Sequence, residues 1–500
     1  MTKRYSLVLA LLTALSSLGA QMVSRATPEN CGPLAAHRSA PASGVPRTDT
    51  ADRRGIRAFA VQFKQDLRFV ESYATYRQKM RCMMETYVVP NLSPDVPNLV
   101  VFNEDIGLMT LAIGSRGKAV REFAKSRAGK AGGDQSGAPA GAAGALGLAN
   151  GAYASQVAYY QAKFPGIDPR KQVFLAATDT FARAFSQTFS DIARDYGVYV
   201  VASNNQGLFE ESTDPADVAA LGDPDLLPGV SSVYVATGPE VWNQVFLWGP
   251  EDTAPDAPAP ERNVLFRNKK VPLTAIEKDF IALDEGPSTG PGAAANIGAA
   301  AIPGSDAKLG FATSLPAFVY GYNIGSPRPA VNACSNTAVY YMPCMSDLGV
   351  NVVVQAEANP GRWASLGGQA EWQPFEWMGS TWRAVADPTV NFRYNITPHM
   401  VGNLLDLAFD GQTAITSRDG GYPAAHYVGN VSSEAESEQG DPEYSFYIGD
   451  KDQFVTLAPW VNNTDDRELL RATSTRLAPA SDDPLENDYL ETVLWADLVF

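Results

Sequence analysis

Three points along the chain combine an acid, a base and candidate nucleophiles of the kind that hydrolytic chemistry uses. Glu104 follows the apolar run Leu-Val-Val-Phe. A carboxylate at the end of a strand becomes partly desolvated, which raises its pKa toward the range useful for proton transfer. Lys270 precedes Glu277 by seven residues, and a fixed cation beside a developing oxyanion is a large stabilising effect. Ser314 and Cys334 supply the candidate hydroxyl and thiol.

Alternating strand and helix patterns predict how these residues are positioned. The apolar runs indicate buried strands, and the segments between them have helical periodicity. The predicted order is strand 56–63, helix 66–87, strand 98–105, helix 180–197, strand 198–203, strand 308–314, helix 336–348 and strand 350–359. Strands that alternate with helices predict βαβ units and a layered α/β domain.

Composition shifts suggest boundaries for the segments of the chain. Two low-complexity stretches break the pattern and are predicted to be insertions, of which the first, rich in Gly and Ala, is expected to be mobile. The predicted segments are a signal peptide at 1–20, an irregular segment at 21–54, a main domain at 55–425 with insertions near 128–152 and 285–308, and an acidic C-terminal extension at 426–500 that packs on the domain.

The N-terminus has the pattern of a secretory signal peptide. Lys3 and Arg4 precede an apolar run at 7–20 that ends in small residues. This run is shorter than the roughly 20 residues that a membrane span needs, although an uncleaved anchor is the alternative. We therefore expect a secreted, cell-surface or periplasmic protein without stable membrane insertion after processing, whose mature chain begins after residue 20.

Charge and cysteine content narrow the function classes further. The 500 residues carry a net charge of −16, which argues against a nucleic-acid partner. Four cysteines in an exported chain permit two disulfides in three pairings, of which Cys31–Cys82 with Cys334–Cys344 needs the shortest loops. Their spacing does not resemble a zinc site, so no metal is expected.

The order of Glu104, Lys270 and a nucleophile after a strand resembles the carbon–nitrogen hydrolase (nitrilase/amidase) family over roughly residues 56–418. The resemblance implies a nitrilase-like α/β/β/α four-layer sandwich with loop insertions and a Glu–Lys–Cys site. It implies a small-molecule amide or nitrile substrate, no organic cofactor, and a homodimer. In that family the Glu is the general base, the Lys stabilises the tetrahedral intermediate, and a later Glu, here Glu277, supports the Lys.

The nucleophile is where the sequence departs from the family pattern. The family Cys follows a short strand directly, and here that position holds Ser314, four residues after Gly310. Cys334 matches the family's spacing to the next strand instead, but the prolines before it exclude a central strand. Neither residue is followed by the family's aromatic–acid pair. Cys334, Ser314 and the absence of any nucleophile therefore stay as three alternatives.

Residues further along suggest a pocket and competing functions. Asn359 and Trp363 follow the predicted strand at 350–359 and are candidates for pocket lining, with a turn residue and a core aromatic as the alternatives. The leading hypothesis is hydrolysis of a carbon–nitrogen bond. The second is a non-catalytic binding protein on the same fold. A serine hydrolase with His399 or His426 as base is the third, and it lacks a Gly-x-Ser-x-Gly elbow.

Overall fold

The computed structural model describes most of the chain in several stretches. These are residues 31–36, 38–46, 54–127, 140–363, 378–420, 453–462, 466–477 and 488–500. The predicted signal peptide, residues 128–139 of the predicted insertion at 128–152, and His426 lie outside the described residues. In the part of the chain that is described, no helix is both long and apolar enough to cross a membrane.

The described residues form both strands and helices along most of their length. The strands are β1 (Ser43–Val45), β2 (Ile56–Gln62), β3 (Asn98–Val101), β4 (Tyr199–Gln206), β5 (Phe209–Ser212), β6 (Val233–Ala236), β7 (Trp242–Trp248), β8 (Val264–Lys269), β9 (Ala300–Ala301), β10 (Lys308–Phe311), β11 (Val352–Val354), β12 (Tyr394–Thr397), β13 (Gly402–Leu404), β14 (Leu407–Phe409), β15 (Ala414–Ser417), β16 (Phe454–Leu457) and β17 (Thr492–Leu498). The α-helices are α1 (Tyr73–Met83), α2 (Lys118–Arg127), α3 (Ala140–Ala152), α4 (Ala154–Lys163), α5 (Gln172–Ala176), α6 (Thr178–Phe181), α7 (Gln187–Tyr196), α8 (Pro215–Leu221), α9 (Gly290–Ile297), α10 (Thr337–Asp347), α11 (Met378–Ala386) and α12 (Arg467–Leu477).

Two mixed sheets form the centre of the molecule. The first has the order β1-β17-β2-β3-β4-β7-β8, and the second has the order β16-β15-β12-β11-β10-β9. Strands β2, β3 and β4 are parallel to each other, as are β10, β11 and β12. Antiparallel strands flank both parallel triplets. The carboxyl ends of the parallel strands are the places where functional groups gather in layered α/β folds.

The two sheets pack face to face because their strands alternate between two apolar faces. In β2, Ala58 and Ala60 point into a core shared with the second sheet, whereas Phe59 and Val61 point into a core shared with the helices. In β11, Val352 joins the core between the sheets and Val353 joins the core under the helices of the other side. Side chains alternate with a period of two, so each strand contributes to two layers. The predicted α/β/β/α sandwich is confirmed.

Both predicted insertions contain ordered, packed elements. Residues 140–152, the second half of the first predicted insertion, form α3, and the mobility of the insertion stays a prediction. Alanine has the highest helix propensity, which outweighs the glycines in this segment. The stretch at 285–308 contains α9 and β9, and it buries Ala293, Ile297 and Ile302.

The predicted extension after residue 426 completes both sheets instead of lying on their surface. β17 pairs with β2 along its whole length, from Thr492 opposite Gln62 to Leu498 opposite Ile56. β16 extends the second sheet beside β15. Within the predicted irregular segment, β1 pairs in parallel with β17. The predicted boundaries near residues 54 and 425 therefore do not separate independent segments, because the strands on both sides of each boundary belong to the same sheets.

The four cysteines form the pairing with the shortest loops. Cys31 is bonded to Cys82 with Cα atoms 5.4 Å apart, and Cys334 is bonded to Cys344 with Cα atoms 4.7 Å apart. The predicted Cys334–Cys344 bridge is confirmed. Cys334 as the nucleophile is therefore wrong, because a bonded sulfur cannot form the thiolate that attacks a substrate.

We expect a Cys334→Ser/Cys344→Ser double variant to unfold more easily than the wild type. The bridge closes a loop with a sequence separation of 10, and its removal restores that loop's freedom to the unfolded chain. The chain-entropy relation gives a loss of about 3 kcal/mol in the free energy of unfolding. Urea unfolding of both proteins under oxidising conditions measures it. Equal midpoints would contradict the stabilising role of this bridge.

Candidate functional site

Glu104 lies where β3 ends, at the face on which the parallel strands of both sheets finish. The next residue, Asp105, has a positive φ of 58°, and its backbone N–H donates to Ser203 Oγ at 2.8 Å. This turn directs the Glu104 side chain inward, where the residue is only 3% exposed. Glu104 Oε2 accepts a hydrogen bond from the backbone N–H of Ala358 at 3.2 Å, which links the first sheet to the loop after β11.

Lys270, directly after β8, joins two carboxylates into one buried cluster. Its Nζ lies 2.8 Å from Glu104 Oε1 and 2.9 Å from Glu277 Oε2. Asn243 Nδ2, from β7, also donates to both carboxylates at 2.7 Å each, to the same Oε1 of Glu104 that Lys270 contacts and to Oε1 of Glu277. The predicted proximity of Glu104 and Lys270 is confirmed, as is the expectation that Lys269 points elsewhere. Lys269 Nζ lies 3.3 Å from the centre of the Trp242 ring.

Burial and charge separate the acidities of the two carboxyl groups. Burial raises the pKa of Glu104, and the opposing charge of Lys270 does not cancel that rise. Burial acts on Glu277 in the same direction, but Lys270 and the hydrogen bonds from Thr274 and Asn243 leave its pKa below the ordinary value. Burial alone would lower the pKa of Lys270, yet the charges of Glu104 and Glu277 hold it above the usual range. Glu277 and Lys270 thus stay charged, and Glu104 is the carboxyl suited to exchange a proton.

Ser314 occupies a strained turn directly after β10. Its φ of 56° and ψ of −115° lie in a region that L-residues other than glycine rarely adopt. The backbone N–H donates to Ala356 O at 3.1 Å, and a short 3₁₀ turn, Leu315–Phe318, begins at the next residue. Such strain persists only where the surrounding structure enforces it, and it is concentrated at functional sites. The predicted strand followed by an elbow at Ser314 is therefore present, as a sharp strand-to-helix turn that presents a hydroxyl.

The Ser314 hydroxyl contacts two residues of the loop after β11. It donates to Asn359 Oδ1 at 2.7 Å. It also approaches the Glu357 carboxyl, whose pKa is raised well above the ordinary value by burial first and then by the charge of Glu104. Gln355 Nε2 donates to Glu357 Oε1 at 2.6 Å. Sequence reasoning singled out Asn359 and missed Glu357, although Gln355, Glu357 and Asn359 alternate in one strand-like stretch.

One cavity of about 400 Å³ collects most of the predicted site residues. Its lining includes Glu104, Lys270, Glu277, Ser314 and Asn359. The volume lies in the range of small-molecule sites. The cavity therefore unites a carboxyl of raised pKa, a fixed ammonium group and a strained hydroxyl.

Trp363 is not part of this lining. It is fully buried in a separate apolar cluster, where its ring centre lies 5.6 Å from that of Trp460. Its backbone N–H donates to Asp410 Oδ2 at 2.8 Å. The prediction that Trp363 binds substrate is therefore wrong, because a large aromatic ring at this position is needed to fill the core. The alternative interpretation, a core aromatic, is the correct one.

His399 does not face the cavity either, which removes it as a candidate base for Ser314. Its ring is completely buried behind the turn at Gly411, where an added Cβ would come within 2.7 Å of the imidazole. Burial lowers the pKa of His399 to about 4. A histidine in this environment is a neutral core residue. His426, the other histidine considered, lies outside the described residues.

We expect the wild type to lose stability relative to a His399→Gln variant as the pH falls from 7 to 4. The folded-state pKa of His399 is about 4 and the unfolded value about 6.5, so between them the unfolded chain binds more protons and acid favours unfolding. The difference of about 2.5 pH units corresponds to about 3 kcal/mol. Urea unfolding at several pH values measures it.

The free energy of unfolding must be compared between the wild type and His399→Gln at each pH. The pH dependence of the wild type alone is ambiguous, because protonation of Asp410 changes its stability in the opposite direction. Burial raises its pKa to about 6, so its contribution to stability increases as the pH falls. Asp410 is present in both proteins and its effect cancels in the difference. A stability difference that stayed constant from pH 7 to pH 4 would contradict a buried, neutral His399.

Solved structures with some similarity to the chain include hydrolases of carbon–nitrogen bonds. A carbon–nitrogen hydrolase from Helicobacter pylori G27 has 11% identity and a TM-score of 0.38, with 73% of this chain and 83% of that chain covered. A mutant amidase from Nesterenkonia sp. AN1, carrying acrylamide added at its active-site cysteine, has 13% identity and a TM-score of 0.34, with 73% and 85% covered. Another mutant of that amidase, with the acetamide moiety of fluoroacetamide on the cysteine, has 11% identity and a TM-score of 0.36, with 74% and 86% covered. A scan against protein-family models and a search of curated proteins find no match. At these identities and TM-scores the similarities carry no conclusion about activity.

Proposed function

We propose that the protein hydrolyses a carbon–nitrogen bond of a small-molecule amide, with Ser314 as the nucleophile. The observation that carries this proposal is the strained backbone of Ser314, which presents a hydroxyl in the same cavity as the Glu104–Lys270–Glu277 cluster. A positive φ at a serine costs about 1–3 kcal/mol, and a turn without a function would be stabilised by glycine there.

The first half of the reaction transfers the acyl group to the enzyme. Ser314 Oγ attacks the carbonyl carbon while its proton passes to Glu104, and the carbonyl π electrons move to the oxygen. Lys270 stabilises that oxyanion, since its ammonium group is fixed by two carboxylates. The carbonyl then re-forms, the C–N bond breaks, and the leaving nitrogen takes the proton from Glu104. The products are an acyl-serine ester and an amine or ammonia.

The second half releases the acid. Water attacks the ester carbonyl and gives its proton to Glu104, and the collapse of this second intermediate returns that proton to Ser314 Oγ. A carboxyl with a raised pKa suits both directions, because it accepts a proton from the nucleophile and returns it to a leaving group. An amine is a poor leaving group without that proton, so cleavage of an amide depends on proton donation from Glu104, whereas cleavage of an activated ester does not.

The proposed function is tested with purified protein, a series of linear primary amides and the corresponding p-nitrophenyl esters. We expect amide hydrolysis by the wild type. In a Glu104→Gln variant we expect kcat on amides to fall about 10²–10⁴-fold, the range for loss of general acid–base catalysis. The activated esters should lose less, because their leaving group needs no proton. Some loss on the esters is still expected, because Ser314 and the hydrolytic water give their protons to Glu104 with either substrate. A kcat on amides that stays at the wild-type level in Glu104→Gln would contradict the assigned role of Glu104.

The second candidate function is ligand binding without turnover. It is favoured by the hydrogen bond that the Ser314 hydroxyl donates to Asn359, since a hydroxyl is much harder to ionise than a thiol. Calorimetric titration with the same amides distinguishes the two. Binding without hydrolysis of any amide, nitrile or ester by correctly folded protein would establish the binding protein and overturn the hydrolase.

A further inference from the structure

The cavity has a large apolar wall that the proposed reaction does not use. One side of this wall is α3, from which Ala145, Leu146 and Ala149 line the cavity. The other part of the wall is the β13–β14 hairpin, which contributes Leu404 and Leu407. Every cavity-lining residue of α3 and of the hairpin is apolar, so this wall provides no partner for a charged or hydrogen-bonding group.

Asp406, at the tip of the hairpin, fixes the two sides of the wall to each other. Its Oδ2 accepts from the backbone N–H of Gly141 at 2.6 Å, and its Oδ1 accepts from that of Ala142 at 3.2 Å. These are unsatisfied donors of the first turn of α3, where a negative charge is also favoured by the helix dipole. Asp406 is only 6% exposed, so the charge-assisted contact is shielded from solvent. The wall is thus a built part of the cavity.

The small side chains of α3 keep the space beside this wall open. Ala145 is 6% exposed and Ala149 is 1% exposed, and both face the cavity. A leucine at either position would project into the space. The polar lining residues Glu104, Lys270 and Glu277, in contrast, are joined to each other by ion pairs. The cavity therefore combines one reactive polar cluster with a long apolar surface.

We infer that the substrate is an amide of an aliphatic acid with an extended hydrocarbon chain, which lies along α3 and the β13–β14 hairpin. This inference rests on the proposed function, because the amide carbonyl is placed at Ser314. Burial of each methylene contributes about 0.8 kcal/mol. A charged or strongly polar acyl group would lose its hydration here without gaining a partner. The wall thus selects for chain length and against polarity in the acyl group.

The experiment measures kcat/KM for acetamide, butyramide, hexanamide and octanamide. In the wild type we expect kcat/KM to rise about fourfold per methylene, which is about 0.8 kcal/mol expressed as a ratio. The rise should stop when the chain fills the cavity. In an Ala149→Leu variant the ratio of octanamide to acetamide should fall by about tenfold or more. Ala143, on the exposed face of the same helix, gives the matched control. Ala143→Leu should keep the wild-type ratio.

The outcomes separate this inference from the proposed function. Hydrolysis of acetamide with no gain from longer chains would overturn the apolar substrate class and leave the hydrolase standing. If the folded wild type hydrolyses none of the amides, calorimetric titration with the same series measures how affinity depends on chain length, and this tests the inferred ligand class without turnover. Affinity that rises with chain length in the wild type and less in Ala149→Leu would support the inference although the hydrolase fails. Affinity independent of chain length would overturn it.

Discussion

Ser314→Ala is expected to reduce kcat on an amide substrate by about 10⁴–10⁶-fold, the loss seen when a catalytic nucleophile is removed. The hydroxyl is the atom that forms the acyl ester in the proposed reaction, so no neighbouring group replaces it. Alanine adopts the strained turn as poorly as serine does, and the packing around the site changes little. We therefore expect the variant to fold and to bind substrate with little change in affinity. Steady-state and single-turnover kinetics measure the loss.

Two control variants make this result specific. Ser346 is also buried, but it lies in α10, where its Oγ accepts from the backbone N–H of Asn391 at 2.9 Å. Ser346→Ala should cost about 1 kcal/mol of stability and leave kcat unchanged. The Cys334→Ser/Cys344→Ser variant should also keep its activity. Activity that survives in Ser314→Ala but is lost with the cysteines would show that a reduced Cys334 is the nucleophile.

Lys270→Met is expected to have the second largest effect, on both activity and stability. Methionine fills a similar volume but leaves the carboxyl groups of Glu104 and Glu277 buried without their cation. Removal of one partner from a buried ion pair typically costs 3–5 kcal/mol. Loss of the oxyanion-stabilising charge should reduce kcat by about 10²–10³-fold. Urea unfolding and amide kinetics measure the two effects separately.

Lys269→Met is the matched control for this variant. Lys269 is the adjacent lysine and stacks on Trp242 at the surface side of the same segment. Its replacement should change stability by about 1 kcal/mol or less, the size of an exposed cation–π contact. We expect kcat to stay at the wild-type level. Equal losses in the two variants would indicate that general positive charge, and not the buried Lys270 ammonium group, is what matters.

The layered fold was predictable because its strands are short apolar runs separated by helical segments. The position of β17 was not, because residues 426–500 look acidic and irregular as a whole. Only in the folded chain does β17 meet β2, more than 400 residues away, where most of its side chains become buried. Such long-range pairing leaves no local signal. The same holds for α3, whose Gly- and Ala-rich composition resembles a linker until Asp406 binds its first turn.

The candidate site was predictable in part, because several of its residues lie close to the ends of recognisable strands. Glu104, Lys270 and Ser314 each lie within three residues of the end of a strand, so their proximity follows from the order of the strands. Asn243 lies near the start of β7, beside Gln244 in an otherwise apolar strand, where the sequence gives little indication of its partners. Glu357 had a signal, because residues that alternate along a strand share one face. Asn359 continues the same alternation two residues further on and contacts the same Ser314 hydroxyl.

The most direct test of the account is to identify the acyl-enzyme. The wild type is mixed with p-nitrophenyl hexanoate, quenched in acid within the first turnover, digested and analysed by peptide mass spectrometry. The proposed reaction predicts one hexanoyl group on the peptide that contains Ser314, and no adduct in Ser314→Ala. Turnover without any adduct on Ser314, or a hexanoyl group on another residue in a protein that remains active, would contradict it.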